Sequence, residues 1–288
     1  MTDYPLSLLL GVIEGLTEFL PVSSTAHLRI TEALLGVSLS DGYWKMFSIV
    51  IQLGAVCCLP IYFRAEIRRL LAGGAGSRSN GNAAPSNTVV LTLAAFICTA
   101  VPSFLLVKVI GKHLESLTVM GWALIIGGVI MWVVDALYQK GRIPRRTEQM
   151  ETMSMGQAVW IGLCQNLSAI FPGTSRSMST IAAGQIVGMS RAAALEFSFF
   201  LSIPTMFAAT GYDLLKSLRR GPSNPLGAPP MTGHGWAVLA LGFIVSFIVA
   251  YGVVAWFMAW VRKRGFVPFA IYRLAAGGAV LLWLARGT

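Results

Sequence analysis

Six stretches of this chain are apolar almost throughout and long enough to cross about 30 Å of hydrocarbon as helices. They run Trp44–Phe63, Thr88–Ile110, Leu117–Tyr138, Ala192–Leu215, Trp236–Trp260 and Pro268–Ala285. Two more apolar stretches, Tyr4–Leu35 and Met155–Val187, are interrupted near their middles by Pro21 and by Pro172-Gly173. Each predicts helix, break, helix, because proline removes a backbone donor and its ring blocks the preceding turn. Neither half is long enough to span alone. Broken backbone inside a bilayer is tolerated where protein covers it or it lines a cavity. Each stretch therefore reads as a re-entrant hairpin, with one kinked span as the alternative. The expected fold is all-α and integral to the membrane: six transmembrane helices plus two re-entrant broken helical hairpins, in one polytopic domain over 1–288.

An internal repeat orders these elements. Sliding the chain by 151 residues sets Glu14 on Gln165, Pro21 on Pro172, Ser24 on Ser175 and Ile30 on Ile181. Each half then holds one broken hairpin and three spans, repeat one over about 1–138 and repeat two over about 152–288. An odd number of crossings turns the second copy upside down. The two breaks are then expected to meet near the midplane from opposite faces.

Composition agrees with the pattern. The chain is 55% hydrophobic and 12% charged, with a mean hydropathy of +0.69, against about one-quarter charged in a soluble domain. A large soluble domain is excluded. The net charge of +10 invites a nucleic-acid partner, but the basic residues cluster at the ends of apolar runs. Arg64, Arg68, Arg69 and Arg78 form one cluster, Lys140, Arg142, Arg145 and Arg146 a second, and Arg262-Lys263-Arg264 a third. That arrangement fits topology and anionic lipid, and no nucleic acid is expected. With the three clusters cytoplasmic, both termini lie outside, although Lys216, Arg219 and Arg220 then fall on an outer loop. The Gly/Ser/Asn tract within Arg64–Asn87 predicts a flexible loop. No charged, apolar and cleavage regions open the chain, so no removable signal peptide is expected. Cys57, Cys58, Cys98 and Cys164 sit in apolar runs without metal-ligand spacing and predict no disulfide.

Polar residues inside such apolar sequence mark the chemistry. Glu14 and Glu18 are one helical turn apart and share a face. Two close carboxylates repel unless a cation sits between them or they hold a proton. A divalent ion shared with substrate phosphates is one solution, and a protonated pair or proton relay is the other. Just past the break stand Ser23, Ser24, Thr25 and His27, suited to acid–base or nucleophilic work; the plainer reading of the serines is N-capping of the second half-helix. Pro172-Gly173-Thr-Ser175-Arg176-Ser177-Met-Ser179-Thr180 combines a glycine turn, hydroxyls and an arginine at a helix start, which suits an oxyanion. An arginine snorkelling to the interface is the alternative. Gln52 is a polar residue in the first span, placed either to reach the site or to bond across helices. Gly11/Gly15 and Gly184/Gly188 predict close helix packing. Together the two breaks predict metal-assisted phosphoryl transfer. The rival class is a lipid-phosphate or small-solute transporter or flippase, which shares inverted repeats and broken helices but needs no carboxylate pair beside the arginine.

At these residues the chain resembles a known family. Glu14-Gly-Leu-Thr-Glu-Phe-Leu-Pro-Val-Ser-Ser-Thr-Ala-His27 and Pro172-Gly-Thr-Ser-Arg-Ser-Met-Ser-Thr180 are similar to the two signature motifs of bacterial undecaprenyl-diphosphate phosphatases of the bacitracin-resistance type. Gln52-Leu-Gly-Ala55, Glu196-Phe-Ser-Phe199 and Ile203-Pro204 are also similar to family patterns. The resemblance implies hydrolysis of undecaprenyl diphosphate to the carrier monophosphate and phosphate, in the bacterial inner (cytoplasmic) membrane with the site open to the periplasmic face. It implies a role in peptidoglycan and cell-wall biogenesis, bacitracin resistance, Mg2+ or Ca2+ as cofactor, and a homodimer. It assigns the metal to Glu14 and Glu18, and catalysis to His27, Ser24, Glu18, Glu14 and Arg176. Phosphate binding falls to Ser175, Arg176, Ser177, Thr180 and Gly173, with Gln52 and Ser23 accessory. His27, Ser24 and water remain open as the nucleophile. Two positions depart from the family: Ala26 and Met178 stand where it usually has glycine. Ala26 adds one methyl group at a tight break, and Met178 is expected to narrow the phosphate pocket or the lipid path.

Overall fold

The computed structural model describes residues 3–38, 41–72, 87–106, 116–218 and 232–287. Among these residues the regular structure is helical, with one isolated bridge between Thr147 and Met189. The helices are α1 (Asp3–Thr17), α2 (Ser24–Leu34), α3 (Gly42–Tyr62), α4 (Arg64–Ala72), α5 (Asn87–Leu105) and α6 (Leu117–Gln139). They continue with α7 (Met155–Ile170), α8 (Arg176–Ile186), α9 (Arg191–Leu218), α10 (Gly233–Lys263) and α11 (Val267–Arg286).

Six of them, α3, α5, α6, α9, α10 and α11, are long and apolar enough to cross a membrane, and they coincide with the six apolar stretches. The chain is a multi-pass membrane protein. α10 reaches beyond its apolar run at both ends, to Gly233 and Lys263, because a helix with capped ends continues into polar sequence: Thr232 Oγ1 accepts from the Gly235 amide at 3.1 Å. Residues 107–110, 73–86 and 219–231, which include the end of the second span, the Gly/Ser/Asn tract and most of the outer basic loop, lie outside the described residues. The first part of the expected loop Arg64–Asn87 is instead helical. In α4, Ile67 and Leu70 share a face against the core while Arg64, Arg68 and Arg69 are exposed, and Arg69 pairs with Glu151 at 2.6 Å.

At the two interrupted stretches the chain forms short helices, α1 with α2 and α7 with α8, joined by tight turns. The helices of each pair pack on each other. α1 also lies along α10, and α7 along α5; α3 packs on α9 and α10, and α6 pairs with α11. Small residues permit these approaches. A Cβ on Gly11 would sit 2.9 Å from the Gly242 carbonyl oxygen, and one on Gly15 would sit 2.8 Å from that of Ser246. Gly184 likewise meets Ala194 of α9. Gly188 departs from the expected helix-packing role. It follows the end of α8 at φ 85°, where its amide bonds the Gln185 carbonyl at 2.9 Å, so it closes a helix that a side chain would strain.

Candidate active site

The two turns are built alike. α2 starts from Ser23 as its N-cap and α8 from Ser175. Both serines lie in the left-handed region, at φ 74° and 73°, which disfavours a side chain by roughly 1–2 kcal/mol. Capping offsets this. Ser23 Oγ accepts from the Ala26 amide at 3.4 Å and Ser175 Oγ from the Met178 amide at 3.3 Å. Ala26 and Met178 thus occupy the same position in their two helices. Gly173, at φ 95°, lies so close to α6 that a Cβ would sit 2.8 Å from the Met120 carbonyl oxygen.

Glu18 is where the turns meet. Its Oε2 accepts the Ser24 hydroxyl at 2.5 Å, its Oε1 faces Arg176 Nη2 at 3.4 Å, and its backbone carbonyl accepts from Ser177 Oγ at 3.3 Å. One carboxylate therefore joins a hydroxyl from the first turn to a guanidinium from the second. Arg176 is fixed from its other side by α9, where Nη1 donates to the Ser202 hydroxyl and, at 3.4 Å, to the Ser198 carbonyl. Its Nε is buried and has no partner among the described residues. Glu14, one turn before Glu18, is wholly buried, and neither of its oxygens has a partner there either.

The remaining residues divide. Thr180 is buried and its hydroxyl serves α8 and α9, lying 3.0 Å from the Arg176 carbonyl and 2.6 Å from Ser198 Oγ. Ser177 is committed to Glu18, whereas Ser175 accepts at its cap. The Gly173 carbonyl accepts from Arg273 at 3.2 Å. Gln52 is half-buried on α3, outside these networks. Met178 points into the core, packed beside Gly127 of α6. Its side chain fills the seam between α8 and α6.

His27 forms its own pair. Nδ1 lies 2.7 Å from the Ser23 carbonyl, which can only accept, so that nitrogen carries the proton of the neutral ring. Nε2 then accepts from the Tyr272 hydroxyl at 2.6 Å, and the two rings stack at 5.6 Å with 12° between planes. Sequence reasoning missed Tyr272, Arg273, Ser198 and Ser202. Tyr272-Arg273 was findable as the polar interruption of the last apolar stretch. Of the α9 serines, Ser198 stood only inside the Glu196–Phe199 resemblance with no role attached, and Ser202 carried no signal, since small hydroxyl residues are ordinary in membrane helices.

The fold and this cluster define a multi-pass membrane protein organised around a buried carboxylate, hydroxyl and guanidinium drawn from two helix turns. The family model of the bacitracin resistance protein BacA matches residues 7–279, and the chain belongs to that family. It is 64% identical to an undecaprenyl-diphosphatase of Koribacter versatilis, over 99% of this chain and all of the relative. It is 40% identical to an undecaprenyl-diphosphatase of Xanthomonas oryzae pv. oryzae, over 99% and 98% of the two chains. An undecaprenyl-diphosphatase of Thermus thermophilus is 39% identical over 97% of each. These relatives are named as phosphatases, which supports that reading and not the transporter.

Proposed function

We propose that this chain hydrolyses undecaprenyl diphosphate to undecaprenyl phosphate and inorganic phosphate. This returns the carrier lipid to cell-wall synthesis in the bacterial cytoplasmic membrane and confers bacitracin resistance. The observation that carries the chemistry is the Ser24–Glu18–Arg176 chain. Arg176 holds terminal phosphoryl oxygens, and its free Nε is a donor still to be used. Ser24 Oγ attacks the terminal phosphorus while Glu18 takes its proton. The bond from that phosphorus to the bridging oxygen breaks, and the lipid monophosphate leaves with the oxygen. Water then attacks the phosphoserine, the bond from phosphorus to Ser24 Oγ breaks, Glu18 returns its proton to that oxygen, and phosphate leaves. His27 is the second base and serves the water step through Tyr272: the hydroxyl accepts the water's proton as it passes its own to Nε2.

The residues fit a divalent cation, Mg2+ or Ca2+. Glu14 offers two buried oxygens without partners among the described residues, one helical turn from Glu18. Two carboxylates, with the substrate supplying further oxygens, are a common magnesium donor set. The cation would neutralise diphosphate charge. The cluster alone does not, since Glu14 and Glu18 formally cancel Arg176 and Arg273.

The paired turns also support an inverted repeat of re-entrant hairpins. The caps relate Ser23 to Ser175 and Ala26 to Met178, an offset of 152 that is one residue more than Pro21 to Pro172. α1 on α10 mirrors α7 on α5 when the halves are exchanged, and α3 on α10 mirrors α9 on α5. On this reading repeat one covers about 1–138 and repeat two about 152–288, with the site opening to the outer face and the chain working as a dimer.

The test is phosphate release from undecaprenyl diphosphate by purified protein, with and without chelator, followed by acid quenching to trap phosphoserine. Metal-dependent release with a label on Ser24 is expected. Intact lipid binding without release would overturn the enzyme, and release with no label or with label on His27 would overturn the Ser24 assignment.

A further inference from the structure

Arg273 lies two turns into α11 and is wholly buried. A charged side chain inside a membrane protein pairs with an opposite charge or with backbone carbonyls, and every hydrogen bond of Arg273 among the described residues ends on a backbone carbonyl. Nε donates to Leu124 at 3.3 Å and Nη2 to Ala123 at 2.9 Å, both on α6. Nη1 donates to Pro21 at 3.0 Å and Nη2 also to Gly173 at 3.2 Å. Pro21 and Gly173 each stand two residues before the N-cap serine of their turn. One planar fork therefore fastens the same point of both turns and ties both to α6.

We infer that Arg273 is the positioning residue that sets the separation of the two turns, and so the placement of Ser24 and Glu18 against Arg176. It touches carbonyls rather than the carboxylate, hydroxyl or guanidinium of the site. Lysine cannot replace it, since one ammonium nitrogen cannot reach carbonyls on three sides in a plane. Gly127 of α6 belongs to the device. A Cβ there would strike the Arg273 guanidinium and come within 2.8 Å of the Met178 terminal methyl. Gly127→Ala therefore displaces the fork without altering its charge.

The kinetic arm of the test rests on the phosphatase reading; the structural arm does not. R273K, R273M, G127A and the G127A/R273K double variant are purified in detergent. Phosphate release is measured with kcat and KM apart, and amide hydrogen exchange is followed along the chain. In R273K and G127A, kcat should fall about thirtyfold or more with KM within about threefold, because ångström misplacement acts mainly on the transition state. The double variant should fall no more than about twofold below R273K, since both substitutions remove one constraint. Peptides over 19–26 and 171–178 should lose protection together while those of α10 keep theirs. Protection lost in one turn only, or equally throughout the chain, overturns the proposal, as does kcat within about threefold of wild type in R273K. If R273M does not fold, the other two single variants decide. If the wild-type protein releases no phosphate, the enzyme reading fails and the exchange pattern still decides the clamp.

Discussion

Ser24 donates its hydroxyl to Glu18 Oε2 across 2.5 Å, and the other oxygen of the same carboxylate faces Arg176. A carboxylate that accepts a hydroxyl proton with one oxygen and holds a guanidinium with the other can both activate and align. The relationship predicts matched losses at its two ends. Ser24→Ala should lower kcat about a thousandfold if it removes the nucleophile. Glu18→Gln keeps the shape but loses the base and the ion pair, and should be comparably inactive. Phosphate release under saturating lipid measures both. A Ser24→Ala enzyme within about tenfold of wild type would transfer the nucleophile to water or His27.

Tyr272 should matter through its oxygen more than its ring. Tyr272→Phe retains the stacked ring against His27 and deletes the hydroxyl that donates to Nε2. We expect kcat to fall about three- to thirtyfold, with Tyr272→Ala worse because the imidazole loses both hold and stack. Steady-state kinetics of the two variants decides. Equal, near-wild-type rates would make the pair packing alone.

Asp135 is the corresponding prediction for stability. It is buried on α6 and accepts from Arg191 Nε at 2.8 Å, the Phe266 amide at 3.1 Å and Gln139 at 3.0 Å. It joins α6 to the starts of α9 and α11. Asp135→Ala leaves the guanidinium and amide without their acceptor and should cost about 3–5 kcal/mol. Thermal unfolding in detergent reads this as a lowered midpoint. An unchanged midpoint would mean that water replaces the carboxylate at that face.

The parts of the protein legible in sequence were those where membrane physics leaves few choices. Twenty apolar residues have one cheap solution in lipid, so the six long helices coincided with their runs. Glu14, Glu18, Ser24 and Arg176 stood out because polar groups there need a reason. The turn chemistry was half legible. Ser23 and Ser175 were candidate caps, but their left-handed backbone and the register it sets appear only in three dimensions. Arg273 was visible as a charge in an apolar run. Its role was not visible, because it depends on how closely glycines let α11 approach α6: a Cβ on Gly277 would sit 2.7 Å from the Gly121 carbonyl oxygen. α4 was hidden by its charges, whose helical face emerges only against the core. Gly188 was misleading for the reverse reason, since its spacing from Gly184 imitates a packing motif while its backbone ends the helix.

Glu14 gives the cation its own test. Glu14→Gln preserves volume and leaves Glu18, Ser24 and Arg176 in their bonds, so a change in metal response separates the cation from the rest of the site. Activity against Mg2+ concentration should shift to at least about tenfold higher metal, with kcat recovering in part at saturation. A proton-relay role would give a different result: lower kcat at every metal concentration and no shift in the midpoint.

Met178 yields a prediction opposite in direction to its sequence reading. At the third position of α8 its side chain is buried against Gly127, and Ala26, its counterpart in α2, is buried beside Met120 and Leu124 of α6. Met178→Gly installs the residue that the resemblance in sequence leads one to expect here, but empties this space and adds a helical glycine. Stability should drop by about 3–5 kcal/mol from the lost side chain and the backbone freedom together. KM for the lipid should stay within about threefold, because the side chain is buried between α8 and α6. Ala26→Gly removes a single methyl and should cost about 1 kcal/mol. Unfolding midpoints and KM measured on the same preparations decide the point. A Met178→Gly enzyme with unchanged stability and a markedly lower KM would restore the view that this methionine narrows the substrate path.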